Sequence, residues 1–472
     1  MRCELRRKDA ESFVFSIKLL MVDEIHLIAD ETRGATLEAT VVRMKSISSI
    51  FQQQQQQQQA AMDEGERHAL RIVGVSATVP NIQDVGEWIG APASNICSFG
   101  PEFRPVPLTV QAISGGSKFT NPFVFDKGLG FRIPDLLRQH SNGRPALVFC
   151  ATRASTSAAA TQLARESASQ LISGAQRQLL QENVDQINAC QDKGLRQCLV
   201  SGVGFHHGSL AQADRRIVEH LFVSRALFCL FATSTLAVGA NLPAYLVIIK
   251  STIQYRTVAG VAGWCEYDSH SIQQMAGRAG RPGFDTEGKC IILTQEHNVN
   301  KYRDIMHVQT LIESRLPSQL TEHLNSEIVL RSIKDIESML CWASSTFFSV
   351  RAKKVPAKYF PQLKSTGADA SAHVDRHIRD LMMQGYTALA NAAPPLCIST
   401  DEDGMSFKST ELGCVMAKYC VAFKTMETMA RLLTAKSTMA EMIECLSEAE
   451  EFLDFKPRND EKKFLEDANK VG

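Results

Sequence analysis

Apolar runs without alternation recur along the first half of the chain: Phe13–Val22, Arg71–Val75, Ala146–Cys150, Ala226–Ala232 and Ala244–Lys250. A strand covered on both faces reads this way because neither side needs polar residues, so each run predicts a buried strand of a parallel sheet. Helical spacing fills the intervals. Leu37, Val41, Met44 and Ile47 give Thr36–Ile50 one apolar face, and an Ala/Gln-rich helical region follows Arg153 to about Lys193. Strand, turn and helix in alternation predict an α/β architecture. Beyond Thr294 the alternation stops and helical periodicity takes over, in Ile328–Trp342 and in the methionine-rich Met416–Leu446, whose methionines read as core filler. Ser251–Asp268, with Gly260, Gly263, Trp264 and Tyr267, fits a hairpin or an exposed connector equally well. The tract Gln52–Gln59 reads as a disordered surface insertion, since a polar low-complexity run buries too little apolar area to hold one structure. Gly100–Pro107 has the composition of a linker.

Candidate chemistry sits where the apolar runs end. Asp23-Glu24-Ile25-His26 follows the first run, placing carboxylates at the carboxyl end of a strand, where open α/β sheets bind ligands. Such a pair suits a metal-nucleotide site: one carboxylate holds Mg²⁺ through its waters and the other accepts a proton from an attacking water, although D-E pairs also cap helices. The second run ends in Ser76-Ala77-Thr78, hydroxyls that can relay hydrogen bonds or cap the next turn. Thr233–Pro243 lies between two strands, and its hydroxyls and amides can grip phosphate oxygens. In Gln274–Pro282 (QMAGRAGRP), Gln274, Arg278 and Arg281 are spaced i, i+4, i+7 and predict one face of a short helix, while Gly277 and Gly280 leave room for a backbone or phosphate to approach. Two guanidinium groups there suit a triphosphate; a solvated basic helix would not need glycines that cost it stability. The paired His206 and His207 read as structural.

Composition narrows this only a little. The 472 residues suit about three domains, and 51 basic against 51 acidic residues give no overall charge that points to nucleic acid or membrane. The 13 cysteines stand singly, without a C-x-x-C pair, which suits a reduced intracellular compartment. Neither a signal-peptide core nor a bilayer-length apolar run is present, so no membrane partner is expected.

Six of these stretches together, DEIH (Asp23–His26), SAT (Ser76–Thr78), FCATR (Phe149–Arg153), FHH (Phe205–His207), TSTLAVGANLPA (Thr233–Ala244) and QMAGRAGRP (Gln274–Pro282), resemble in order and spacing the Ski-like DExH-box helicases of superfamily two, nearest their meiotic crossover branch. The resemblance covers nearly the whole chain. It implies two RecA-like domains, the first incomplete at 1–112 and the second at 113–296, then a winged-helix domain at 297–395 and the beginning of a helical ratchet domain at 396–472. It implies ATP and Mg²⁺ as cofactors, with Asp23 holding the metal through water, Glu24 activating water, His26 and Gln274 coupling hydrolysis to the strand surface, and Arg278 and Arg281 as arginine fingers. Gly239 and Asn241 would lie near the nucleotide, Ser76 and Thr78 would couple, and Thr152, Arg153 and Thr233 would contact a nucleic-acid backbone. The activity implied is a nuclear, ATP-dependent 3′–5′ DNA helicase on single-stranded or branched DNA, serving meiotic recombination and crossover formation. Two departures stand out. The hairpin region is longer and less regular than the family's, and no G-x-x-x-x-G-K-[ST] loop occurs, so the chain reads as a fragment of a motor. A truncated, non-catalytic nucleic-acid-binding scaffold and an RNA helicase of the same branch are the alternatives.

Overall fold

The computed structural model describes residues 17–58, 70–77, 79–116, 121–239, 242–258, 261–303, 305, 311–363, 369–399 and 406–452. Phe13–Ser16, Gln59, Thr78 and Asn241, all part of the sequence-based expectations, lie outside them. The chain divides into two compact units. One joins Met1–Ser98 to Leu311–Gly472, and the other is Phe99–Thr310, whereas the resemblance implies divisions near 112, 296 and 395.

In the first unit, β1 (Leu19–Val22) pairs in parallel with β2 (Arg71–Gly74), in register from Leu19↔Arg71 to Val22↔Gly74. The expectation that β1 is covered on both faces fails: Leu19 and Met21 are 49% and 66% exposed, while Val22 turns into the core. Only one face of this strand meets packed neighbours among the described residues, and Ile25, Ile28, Val41 and Val42 cluster there. The helix predicted at Thr36–Ile50 runs from Gly34 to Gln58, so Gln52–Gln58 continue it rather than forming a disordered insertion. Glutamine's unbranched side chain loses little freedom in a helix, and an established helix extends more cheaply than a new one starts.

The second unit is built on a six-stranded sheet of β3 (Leu108–Ser114), β4 (Ala146–Cys150), β5 (Val203–His206), β6 (Cys229–Thr233), β7 (Leu246–Ile249) and, after a hairpin, β10 (Gly288–Thr294), ordered β3-β10-β7-β4-β6-β5. Every pairing in it is parallel. Each residue of β4 and β7 is buried, as their apolar runs predict for strands covered on both faces, and so is each residue of β5, a strand that the apolar runs did not include. The Ala/Gln-rich region is helical but broken into short helices from Arg153–Glu166 to Lys193–Val200, with Ser173 and Asp192 capping later pieces. The hairpin consists of β8 (Ile253–Val258) and β9 (Val261–Glu266), antiparallel.

Back in the first unit, the stretch read as continuously helical at Ile328–Trp342 is interrupted. A helix Leu320–Val329 ends, Arg331 takes the left-handed conformation (φ 60°), and Asp335 opens the helix Ile336–Ser344 with a capping box to Ser338. The helix Phe347–Lys354 and the long helix Asp369–Asn391 follow, then the antiparallel pair β11 (Cys397–Ser399) and β12 (Phe407–Ser409). The methionine-rich run forms separate helices; Met416 and Met426 fill core, but Met439 and Met442 are exposed, which corrects the core-filler reading for that end.

Tertiary contacts explain why residues so far apart in sequence share this unit. Trp88 packs on Phe347 with ring centroids 5.6 Å apart and donates its Nε1–H to the Ser345 carbonyl at 3.1 Å. Arg351 grips Glu313 through Nε (3.0 Å) and Nη2 (2.7 Å) and also pairs with Asp84, while Lys354 reaches Asp84 at 2.7 Å. Glu38, fully buried, accepts from the Ser314 hydroxyl (2.6 Å) and the Phe348 N–H (2.8 Å). No helix among the described residues is long and apolar enough to cross a membrane.

Candidate functional site

The acidic motif occupies the turn that leaves β1. Asp23 is exposed and its Oδ1 accepts the Glu24 N–H at 2.9 Å. Glu24 has φ 53°, a left-handed conformation that costs a side-chain-bearing residue about 1 kcal/mol or more and marks a position the surroundings enforce. A 3₁₀ helix, Ile25–Ala29, then buries His26. The Ile25 N–H donates to the Val75 carbonyl at 2.9 Å, lacing this turn to the end of β2. There the Ala77 N–H donates to His26 Nδ1 at 3.2 Å, with Ser76 Oγ 3.5 Å from the same nitrogen. A backbone amide can only donate, so Nδ1 acts as acceptor and the ring proton sits on Nε2. Glu24 Oε2 lies 3.3 Å from the same nitrogen. DEIH and SAT thus form one hydrogen-bonded cluster. An exposed aspartate at a strand's carboxyl end is a hard oxygen donor that fits a magnesium ion held largely through water.

The second unit gathers the other motifs at the carboxyl ends of adjacent parallel strands. Cys150 of β4 is opposite Thr233 of β6, so the residues after them emerge side by side. Thr152 caps the helix Arg153–Glu166, accepting the Ser155 N–H at 3.1 Å, and Arg153 donates to Ser209 Oγ at 2.6 Å, joining FCATR to the FHH loop. Thr233 Oγ1 is 2.9 Å from Thr235 Oγ1, and Gly239 ends the short helix Thr235–Gly239. His206 Nε2 lies 2.9 Å from Glu219 Oε1.

The arginine motif departs from its predicted shape. The helix Ser269–Gly277, capped by Asp268, includes Gln274 but stops before either arginine, so the three do not share a helical face. Gly280 takes φ 88° and a Cβ on it would meet Val106 Cγ1 at 2.6 Å; one on Gly288 would meet the Ala279 and Gly280 backbone at 2.6 Å. These glycines let the chain turn against β10, which is why the helix cannot continue. Arg278 folds back so that its Nε donates to the Ala237 carbonyl at 2.9 Å, while the Ala244 N–H donates to the Arg278 carbonyl at 2.9 Å and the Gly280 N–H to the Ala244 carbonyl at 2.7 Å. TSTLAVGANLPA and QMAGRAGRP are therefore stitched together. Arg281 is held by Asp285 through Nε (2.7 Å) and Nη2 (2.8 Å). Burial works to raise the Asp285 carboxyl, but hydrogen bonds from Arg281 and the charge of Arg144 hold it below the ordinary aspartate range.

Several positioning residues carry no motif. Arg104, inside the stretch read as a linker, donates to the carbonyls of Gly277 (3.0 Å) and Ala279 (2.8 Å), satisfying the end of the Gln274 helix. Lys250 bonds to Asp126 (3.1 Å) and Ser155 (2.9 Å), fixing the helix that carries Thr152 and Arg153. Burial pushes the Tyr267 hydroxyl up to about 12 against a hydrogen bond with Ser234, so it keeps its proton. Asp285 could have been found from the sequence as an opposite charge four residues from Arg281.

Residues 182–283 match the helicase conserved C-terminal domain and residues 409–471 the Sec63 Brl domain. Over 97% of its length the chain is 37% identical to the ATP-dependent DNA helicase homolog MER3 of Arabidopsis thaliana, spanning 39% of that protein. It is 32% identical over 96% of its length to the ATP-dependent DNA helicase MER3 of Saccharomyces cerevisiae, spanning 35% of it. Nearly all of the chain is thus similar to DNA helicases of this kind, of whose own length it spans little more than a third. A more distant similarity, 30% identity over 95% of the chain, links it to mouse activating signal cointegrator 1 complex subunit 3, of which it spans 19%. The helicase C-terminal match contains the FHH, TSTLAVGANLPA and QMAGRAGRP stretches, the last two of which the hydrogen bonds above connect.

Proposed function

We propose that the chain is part of an ATP-dependent 3′–5′ DNA helicase of the nucleus that acts in meiotic recombination and crossover formation. The observation that carries this reading is the similarity to MER3 helicases along almost the whole chain, together with the interlocked motif clusters. In it, Asp23 holds Mg²⁺ through water and Glu24 orients and deprotonates the attacking water. Arg278 and Arg281 meet the charge that spreads over the transferred phosphoryl oxygens, with Asp285 fixing the plane of the Arg281 guanidinium. Gly239 and Asn241 border the nucleotide, and His26, Gln274, Ser76 and Thr78 transmit its hydrolysis. Thr152, Arg153 and Thr233, at the ends of neighbouring strands, contact the sugar-phosphate backbone of a single strand. The architecture is that of two RecA-like domains, a winged helix and a ratchet domain, with the β8–β9 hairpin as the strand-separating wedge.

Strand displacement on tailed duplexes tests it, in a polypeptide extended at its amino end to the length of the relatives. ATP-dependent displacement from a 3′ single-stranded DNA tail, and none from a 5′ tail, is expected. Preference for a 5′ tail would refute the direction, and displacement only from RNA tails would refute the substrate.

A further inference from the structure

We infer that the first unit carries a second nucleic-acid contact, a basic cleft where Arg331, Lys334 and Lys408 hold a phosphodiester backbone. The cleft lies between the turn that follows the helix Leu320–Val329 and the strand β12, and these three cations line it together with Asp335 and Ser409. Its frame is fixed: the Phe407 N–H donates to the Lys334 carbonyl at 2.7 Å, Asp335 and Ser406 form an antiparallel bridge, and the Phe407 ring packs against Tyr386, tilted by 31° with centroids 4.1 Å apart. Lys334 and Lys408 are thereby carried on adjoining backbones. Asp335 Oδ1 accepts the N–H and hydroxyl of Ser338 at the start of the next helix, and these bonds with the charge of Lys334 hold its carboxyl below the ordinary aspartate range, so the cleft carries one carboxylate against three cations.

Among the described residues none of the three cations forms an ion pair, and all three are exposed. Elsewhere in the same unit Arg43, Arg351 and Lys354 are paired with carboxylates. Arg331 adds a more pointed observation. It sits at φ 60°, and its N–H donates to the Ile328 carbonyl at 3.0 Å, the helix-ending position where glycine is preferred because it has no side chain to clash. A charged side chain held where glycine would fold more easily, next to two other cations, points to use of that charge. Exposed lysines and arginines spaced along a rigid edge suit a polymer of phosphates, which they bind by releasing its condensed counterions. The identity of the polyanion rests on the helicase reading; the cleft itself does not.

The test is fluorescence anisotropy of the 472-residue chain with a labelled tailed DNA duplex across a range of salt concentrations. Arg331→Gly should weaken binding several-fold and lower the salt slope by about 1, roughly one phosphate contact, while the melting temperature stays level or rises because glycine relieves the left-handed position. The triple change R331G/K334A/K408A should lower the slope by about 2 to 3. Unchanged affinity and slope in the triple variant would overturn the inference, as would tighter binding of poly-glutamate than of DNA at equal charge. A chain that binds no duplex would overturn the cleft and leave the motor reading standing, because that reading is judged by ATP turnover.

Discussion

Arg281, proposed above to meet the transferred phosphoryl group, is also held in place by Asp285. The Asp285 side chain is fully shielded and the Arg281 side chain is 12% exposed, so the pair's two hydrogen bonds are made largely out of water. Removing one member of such a pair leaves the other charge in a poor environment. Asp285→Ala should therefore cost about 3 kcal/mol, read from urea unfolding of the chain, and an unchanged midpoint would show that the pair contributes nothing net. Residue roles were only partly legible in the sequence. The acidic motif could be placed because a strand leads into it, but the arginines were assigned to a helical face by counting through Gly277 and Gly280. The positive φ at Gly280 ends that regularity. Arg104, 173 residues from the carbonyl of Gly277 that it satisfies, has no local signature at all.

Helices and strands were easier to read where burial is complete. β4 and β7 are apolar on both faces because helices cover them, and their runs could be recognised directly. β1 was misread for the complementary reason: an apolar sequence says what a strand could bury, and Leu19 and Met21 meet no cover among the described residues. The helix Gly34–Gln58 was found but cut short, because glutamines carry no apolar period. Its buried Glu38 gives an element-level prediction. Burial raises the carboxyl to about 7, against hydrogen bonds from Ser314 and the Phe348 and Phe347 amides. The folded state then holds a proton that the unfolded chain gives up near its ordinary value, so stability from this residue is intact at low pH and declines as pH climbs toward 7. Compared with the wild type, Glu38→Gln should gain relative stability of up to about 3 kcal/mol between pH 5 and 8, measured by unfolding at each pH. A difference that does not change with pH would mean Glu38 ionises normally.

At the scale of the whole molecule, the unit formed by Met1–Ser98 with Leu311–Gly472 was the least legible feature, because Trp88 on Phe347 and Arg351 on Asp84 and Glu313 are pairings no local pattern announces. The functional account assigns Glu24 and Arg281 to a single phosphoryl-transfer step. Single-strand-stimulated ATP turnover, measured for Glu24→Gln, Arg281→Ala and the double variant in the amino-terminally extended polypeptide, tests that claim most directly. Each single change should slow turnover by about 100-fold or more, and the double variant should be little worse than the poorer single one, as groups acting in one step behave. Turnover left intact by either change, or losses that multiply in the double variant, would contradict it.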